Sequence, residues 1–302
     1  MECGSVGMEH SSAAPHGAAS IAQHLAARPL LPEHMTTTSK STPITPQQAT
    51  WAAGDYARIG VRLNLVGERL CEAVDLHAGE RVLDVAAGNG NAALAAARCD
   101  CDVLATDFVP ALLERAAARA RVDGLPMRTQ EANAEQLPFD DASFDAVLST
   151  FGVMFAADQA AAARELVRVC RPGGRIGLAC WTPQSFVADL FRTVRRHLPA
   201  PAGAASPTVW GDEGGVRKLL GSGVEVRTAH HFHTFRYRSS QAFLDEFRTW
   251  YGPTLKAFAA LPAAGAEQLA RDIIDLCNEQ NRATDATLVV PAEYLEIVAV
   301  RR

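Results

Sequence analysis

From Pro46 onward, apolar residues recur at spacings of three and four over 49–56 and 61–74, which predicts two helices at the start of the ordered chain. Ala78-Gly79-Glu80 breaks that rhythm before an apolar run over 81–86 that reads as a strand. A helix over 88–98, a short strand over 102–107 and a helix from Pro110 to about 122 follow, with proline where its missing N–H costs nothing. The stretch 127–132 is a shorter, more polar strand and 145–150 a fourth apolar one. A helix over 160–170 stops before Arg171-Pro172-Gly173-Gly174, and a fifth strand runs over 175–181. Strands alternating with helices in this way predict an α/β chain with a parallel, doubly wound sheet.

After Trp181 the rhythm changes. A helix over 185–198 leads through a Pro/Ala/Gly loop at 199–207 to a short helix over 213–220, then to a strand over 224–237. Residues 239–281 read as mostly helical, and 287–300 as a seventh strand. A helical block between two late strands would sit over the sheet, so 185–283 is expected to contain a lid on the substrate side. Trp250, Tyr251, Phe258 and Leu261 are its apolar contact residues, with core packing the simpler role for the first two.

Composition narrows the picture. The net charge of −5 and the lack of a dense Lys/Arg stripe argue against a nucleic-acid partner. Basic clusters such as Arg192-Arg195-Arg196 read as solvated helix faces. No apolar run approaches the ~20 residues of a membrane span. The seven cysteines, at 3, 71, 99, 101, 170, 180 and 277, form no C-x-x-C pair. That excludes the usual zinc spacing and a disulfide framework, and no metal site is expected. The chain reads as reduced and cytoplasmic. Residues 1–34 are rich in Ala, Ser, His and Pro and lack the pattern of a secretory signal. Met35 resembles a start residue, so the preceding stretch reads as an extension. Disorder is expected over 1–45 and the folded domain over 46–302.

The chemistry concentrates in VLDVAAGNGNAAL (82–94), a strand, a small-residue turn and an alanine-rich helix that present backbone N–H groups to a ligand. Gly88-Asn89-Gly90-Asn91-Ala92-Ala93 fits the G-x-G-x-x-A phosphate fingerprint of a dinucleotide enzyme. Asp84 argues otherwise, because a carboxylate beside a pyrophosphate is repulsive. It suits a donor with a sulfonium and an ammonium, such as S-adenosylmethionine, although a cap on the turn is its structural alternative. Asp107, ending the second strand, can accept both hydroxyls of a ribose or cap the next helix. Asn133, in the loop after the third strand, offers a short polar side chain to a base edge.

Residues 82–181 resemble the class I S-adenosylmethionine-dependent methyltransferases, particularly the small-molecule branch that includes the ubiquinone/menaquinone C-methyltransferases. The resemblance rests on VLDVAAGNGNAAL, ATDF, EANAEQLPFDDASFDAVLSTFGVMF and ELVRVCRPGGRIGLACW in that order. It implies a Rossmann-like, doubly wound, mostly parallel seven-stranded sheet with N-terminal helices and a helical insertion before the last strand. The pattern D-x-G-x-G-x-G falls on Asp84, Ala86, Gly88 and Gly90, with Ala86 replacing the first glycine and tightening the space near the methionine part without abolishing it. Asp107 falls on the ribose-binding acid, Phe108 on an adenine-packing position, Asn133 and Ala134 on the adenine-edge pair, and Ser149 near the cofactor's amino-acid part. Upstream, Tyr56 falls on a tyrosine that closes over the cofactor, with core packing as its alternative.

The expected reaction is methyl transfer to a small, apolar or aromatic acceptor, with C, O and N all open as the accepting atom. His230, His231 and His233 are the weakly supported candidates for a base. Strand alternation puts the last two on one face, and a surface patch is the simpler reading. An NAD-dependent oxidoreductase and a non-catalytic S-adenosylmethionine-binding module are the competing readings.

Overall fold

In the computed structural model the described residues are Met1, 45–199 and 203–302. The expected disordered stretch over 1–45 therefore lies, apart from Met1 and Thr45, outside the described residues, as does part of the 199–207 loop. β1 (Arg81–Val85) is buried along nearly its whole length, because it lies between β2 (Asp102–Asp107) and β4 (Phe144–Thr150) and is covered on both faces. β3 (Arg128–Glu131), the polar strand, forms one edge beyond β2. β5 (Cys170–Trp181) adds parallel to β4 on the other side. β7 (Leu288–Arg301) then runs antiparallel to both β5 and β6 (Val224–Tyr237). The seven strands lie in the order β3-β2-β1-β4-β5-β7-β6. The order reverses between β1 and β4, which opens a crevice at their carboxyl ends.

The helices follow the sequence closely where periodicity is strong. α3 (Asn64–Val74) and α4 (Asn91–Arg98) pack together against the sheet, and the alanines of α4 allow that close approach. α5 (Pro110–Asp123) and α6 (Gln159–Val169) cover further crossovers. Two expectations need correction. The helix read over 49–56 is split into α1 (Pro46–Trp51) and α2 (Tyr56–Gly60), because the turn between them is tied to the insertion by the Asp55 N–H donating to the Trp250 carbonyl at 3.1 Å. The fifth strand begins at Cys170, not 175. Phe144 pairs with Cys170 and Ala146 with Arg175, so Arg171–Gly174 is absorbed as an irregularity beside β4. Arg171 Nε donates to Asp145 Oδ1 across it at 2.5 Å.

The late part comprises α7 (Phe186–His197), α8 (Glu213–Leu220), α9 (Ser240–Trp250), α10 (Gly252–Ala260) and α11 (Ala263–Gln280). Its core is aromatic: Phe243 stacks on Phe247 at 4.1 Å between centroids, and both meet Phe235 of β6 edge-on. Among the described residues no helix is long and apolar enough to cross a membrane.

The ends of β1 and β4 touch most tightly at Gly152. A methyl group there would lie 2.4 Å from the Ala86 carbonyl oxygen and 2.7 Å from its Cβ. Ala86 itself holds φ at +52°, a conformation that alanine adopts only under local constraint. Gly152→Ala is expected to destabilise the protein by about 1–3 kcal/mol through overpacking against backbone. Adding Ala86→Gly should not restore it, since the nearer clash is with the carbonyl oxygen. Thermal denaturation of the single and double variants checks both outcomes.

Candidate active site

The turn after β1 is shaped by two carboxylates. α4 starts at Gly90 with no side-chain cap of its own. The missing acceptor comes from the strand instead, where Asp84 Oδ2 accepts the Ala93 N–H at 2.9 Å. Asp84 is fully buried and its other oxygen, Oδ1, has no hydrogen-bond partner. Burial pushes its pKa up to about 8; the Ala93 N–H opposes that shift and the charge on Asp107 adds to it.

Asp107 holds the turn from the side. Its Oδ2 accepts the Gly88 N–H and its Oδ1 the Val109 N–H, both at 2.9 Å. Burial raises its pKa to about 6 against the pull of the Val109, Gly88 and Phe108 amides. Each carboxylate oxygen has more than one lone pair, so these bonds leave acceptor capacity facing the crevice. A positive charge beside the turn would favour the ionised form of both acids, so the site suits a cationic ligand better than a pyrophosphate.

A cavity of about 790 Å³, counted to its opening on solvent, lies above this turn. It takes in Tyr56, Ala86, Gly88, Asp107, Phe108, Asn133 and Ala134, so seven of the ten residues singled out from the sequence meet in one place. Asp84, Gly90 and Ser149 do not line it. Asp84 caps α4 from beneath, and Gly90 is the N-cap residue of that helix. Ser149 Oγ donates to the Val85 carbonyl at 2.7 Å and accepts the Val153 N–H at 3.0 Å, which ties β1 to β4 behind the wall. Asn133 Oδ1 accepts the Glu135 N–H at 3.0 Å and so also holds its own loop.

The sequence reading missed Asn89 and Asn91, which line the cavity from the unspecified positions of the glycine pattern. Two amides within a turn otherwise made of small residues were the available signal. It also missed the strap formed by α1. Gln48 Nε2 donates to the Phe108 carbonyl at 2.5 Å and Gln47 Nε2 to the Phe155 carbonyl, so α1 bridges the two rims and brings Trp51 over the opening. Trp51 packs on Phe155 at 4.8 Å and edge-on to Tyr56 at 5.8 Å.

Of the expected substrate-side lid over 185–283, no described residue lines this cavity. The insertion braces the covering helices from behind. Tyr251 is buried against Trp51 and Tyr56, while Trp250 lies partly exposed beneath the Arg58 guanidinium. The histidines stand apart from the cavity as well. His231 Nε2 lies 3.4 Å from Glu296 Oε1, and His230 faces Glu293 and Glu213. His233 meets Phe235 edge-on, and burial, with help from the Arg62 charge, lowers its pKa to about 4.

Known proteins resemble this chain in sequence and fold. Residues 83–178 match the methyltransferase domain family. Rv1405c of Mycobacterium tuberculosis, an uncharacterised protein, is 42% identical over 261 residues, covering 84% of this chain and 94% of that one. The demethylmenaquinone methyltransferase of Deinococcus radiodurans is 34% identical over 165 residues, 49% of this chain and 68% of the relative. YcgJ of Bacillus subtilis shares the fold with a TM-score of 0.54 at 22% identity, over 80% of this chain and 99% of that one. With the strand order, the glycine turn and its two carboxylates already in hand, these relationships mean that the chain belongs to the class I S-adenosylmethionine-dependent methyltransferases and is an enzyme that uses S-adenosylmethionine.

Proposed function

We propose that the protein transfers the methyl group to a small, apolar or aromatic metabolite, and that the donor occupies the cavity above the glycine turn. The observation that carries this reading is the pair of buried carboxylates, Asp84 and Asp107, beside one crevice. When bound, S-adenosylmethionine supplies an electrophilic methyl on a positively charged sulfur for an in-line displacement, in which the acceptor takes the methyl, the sulfur keeps the electron pair of the C–S bond, and any proton on the accepting atom passes to solvent.

The chain's own residues divide the work. Asp107 accepts the ribose hydroxyls, Phe108 packs on adenine, and Asn133 with the Ala134 backbone meets the adenine edge. Ala86, Gly88 and Gly90 shape the turn that receives the methionine part. Tyr56 covers it, Asp84 holds the start of α4 from below, and Ser149 keeps β4 in register. The remaining wall carries Trp51, Phe151 and Phe155, which supports an apolar or aromatic acceptor and helps exclude water. The likeness to a demethylmenaquinone methyltransferase supports the same acceptor class. The low density of basic residues supports a small molecule over a nucleic acid, and the unpaired cysteines support a reducing, cytoplasmic setting.

Three outcomes are expected. Asp107→Ala should weaken S-adenosylhomocysteine binding by about tenfold or more, the effect of losing hydrogen bonds to a charged acceptor, as read by calorimetry on protein shown to be folded. Incubation with methyl-labelled S-adenosylmethionine and a low-molecular-weight metabolite extract should give a labelled small product. Donor binding without any product across a broad acceptor screen would favour a binding module instead.

The third outcome concerns pH. Asp84 has a folded pKa of about 8, above the ~4 of an unfolded aspartate. The native state therefore holds the proton more tightly, and the stability tied to it is full below pH ~4 and lost as pH rises through the folded value. Asp107 acts in the same direction up to about 6. Ligand-free wild-type protein should lose thermal stability relative to Asp84→Asn between pH 6 and 8.5, with the two curves parallel above that range. A constant difference across the whole range would refute the assignment.

A further inference from the structure

We propose that Arg119 is a positioning residue for the donor site, locking the glycine turn to the N-terminal helices through a three-way guanidinium bridge. This rests on the reading above that the donor's amino-acid part lies at that turn. Arg119 sits on α5, half-buried, and does not line the cavity. Its Nη1 donates to the Asn89 carbonyl at 2.6 Å and to Asn91 Oδ1 at 2.8 Å, and its Nη2 donates to Asn64 Oδ1 at 3.0 Å.

Asn91 extends the bridge. Its Nδ2 donates to the Gly60 carbonyl at 2.7 Å, while its Oδ1 also accepts from Asn89 Nδ2 at 3.3 Å. The two cavity-lining amides of the turn are thus held by one cation from behind, and α2 and α3 are attached to the same point. Among the described residues no carboxylate is hydrogen-bonded to this guanidinium, and the three acceptors it meets are neutral oxygens. Such a site needs the planar fork of arginine, because a lysine ammonium on its flexible stem is a point charge without that fixed geometry. Arg119 therefore acts through Asn89 and Asn91 on the turn and leaves the Asp107–Asn133 half of the cavity alone.

Calorimetry on the full chain with two probes tests this. S-adenosylhomocysteine reaches both halves, whereas adenosine lacks the amino-acid part. Arg119→Gln and Arg119→Lys should each weaken S-adenosylhomocysteine by about tenfold and leave adenosine within about twofold. Should those variants fail to fold, Asn64→Ala, which removes one exposed acceptor, should still weaken S-adenosylhomocysteine about threefold with adenosine unchanged. Unchanged S-adenosylhomocysteine affinity, a parallel loss for both probes, or full rescue by lysine would overturn the proposal. Wild-type protein that binds neither probe would overturn the donor-site reading, and this inference with it.

Discussion

Asp84 accepts the N–H of Ala93 from below the turn, and Asp107 accepts that of Gly88 from the side; the active site depends on these two bonds. A helix that begins at a glycine leaves its first N–H groups without partners. Asp84 supplies one acceptor from the middle of the sheet, which fixes where α4 starts relative to β1. The cost is a fully buried carboxylate with one bare oxygen and a second carboxylate nearby. In the ligand-free protein a proton held up to about pH 8 offsets that cost, and a positively charged ligand favours its release, so the support of the fold and the preference of the site have one origin.

The covering layer has a different logic. α1 and α2 are too short to be stable alone. They hold their places because Gln47 and Gln48 reach backbone carbonyls on opposite rims, and because Trp51 and Tyr56 are backed by Tyr251 of the insertion. The insertion thus influences the cavity through a second layer of aromatic rings without touching its interior. Built this way, the cavity can vary in the wall formed by α1 and the segment after β4 while the sheet stays constant.

Much of this was legible in the chain. The boundaries of β2, β6 and α8 coincide with the sequence pattern, because each is bounded by turn residues and carries an unambiguous period. The glycine turn and the acid after β2 were legible for a chemical reason: backbone donors and a carboxylate at strand ends can serve few ligands. What misled was local. The 49–56 stretch has helical spacing, but the tie to Trp250 interrupts it, and no window of sequence contains both partners. The placement of the insertion was not legible, because a helical block between strands can lie over a cavity or behind its cover with the same periodicity.

The sequence by itself determined the order of elements and the place of the glycine turn, since these follow from periodicity and local residue type, and the ordered motifs over 82–181 carried the family. Only the tertiary structure decided which side chains face the cavity. Asp84 and Ser149 turned out to support it from behind, and Asn89, Asn91 and Trp51 to line it. Orientation at a strand end or within a turn depends on hydrogen-bond partners tens of residues away, such as Asp84 with Ala93 or Arg119 with Asn89, and local spacing carries no record of them.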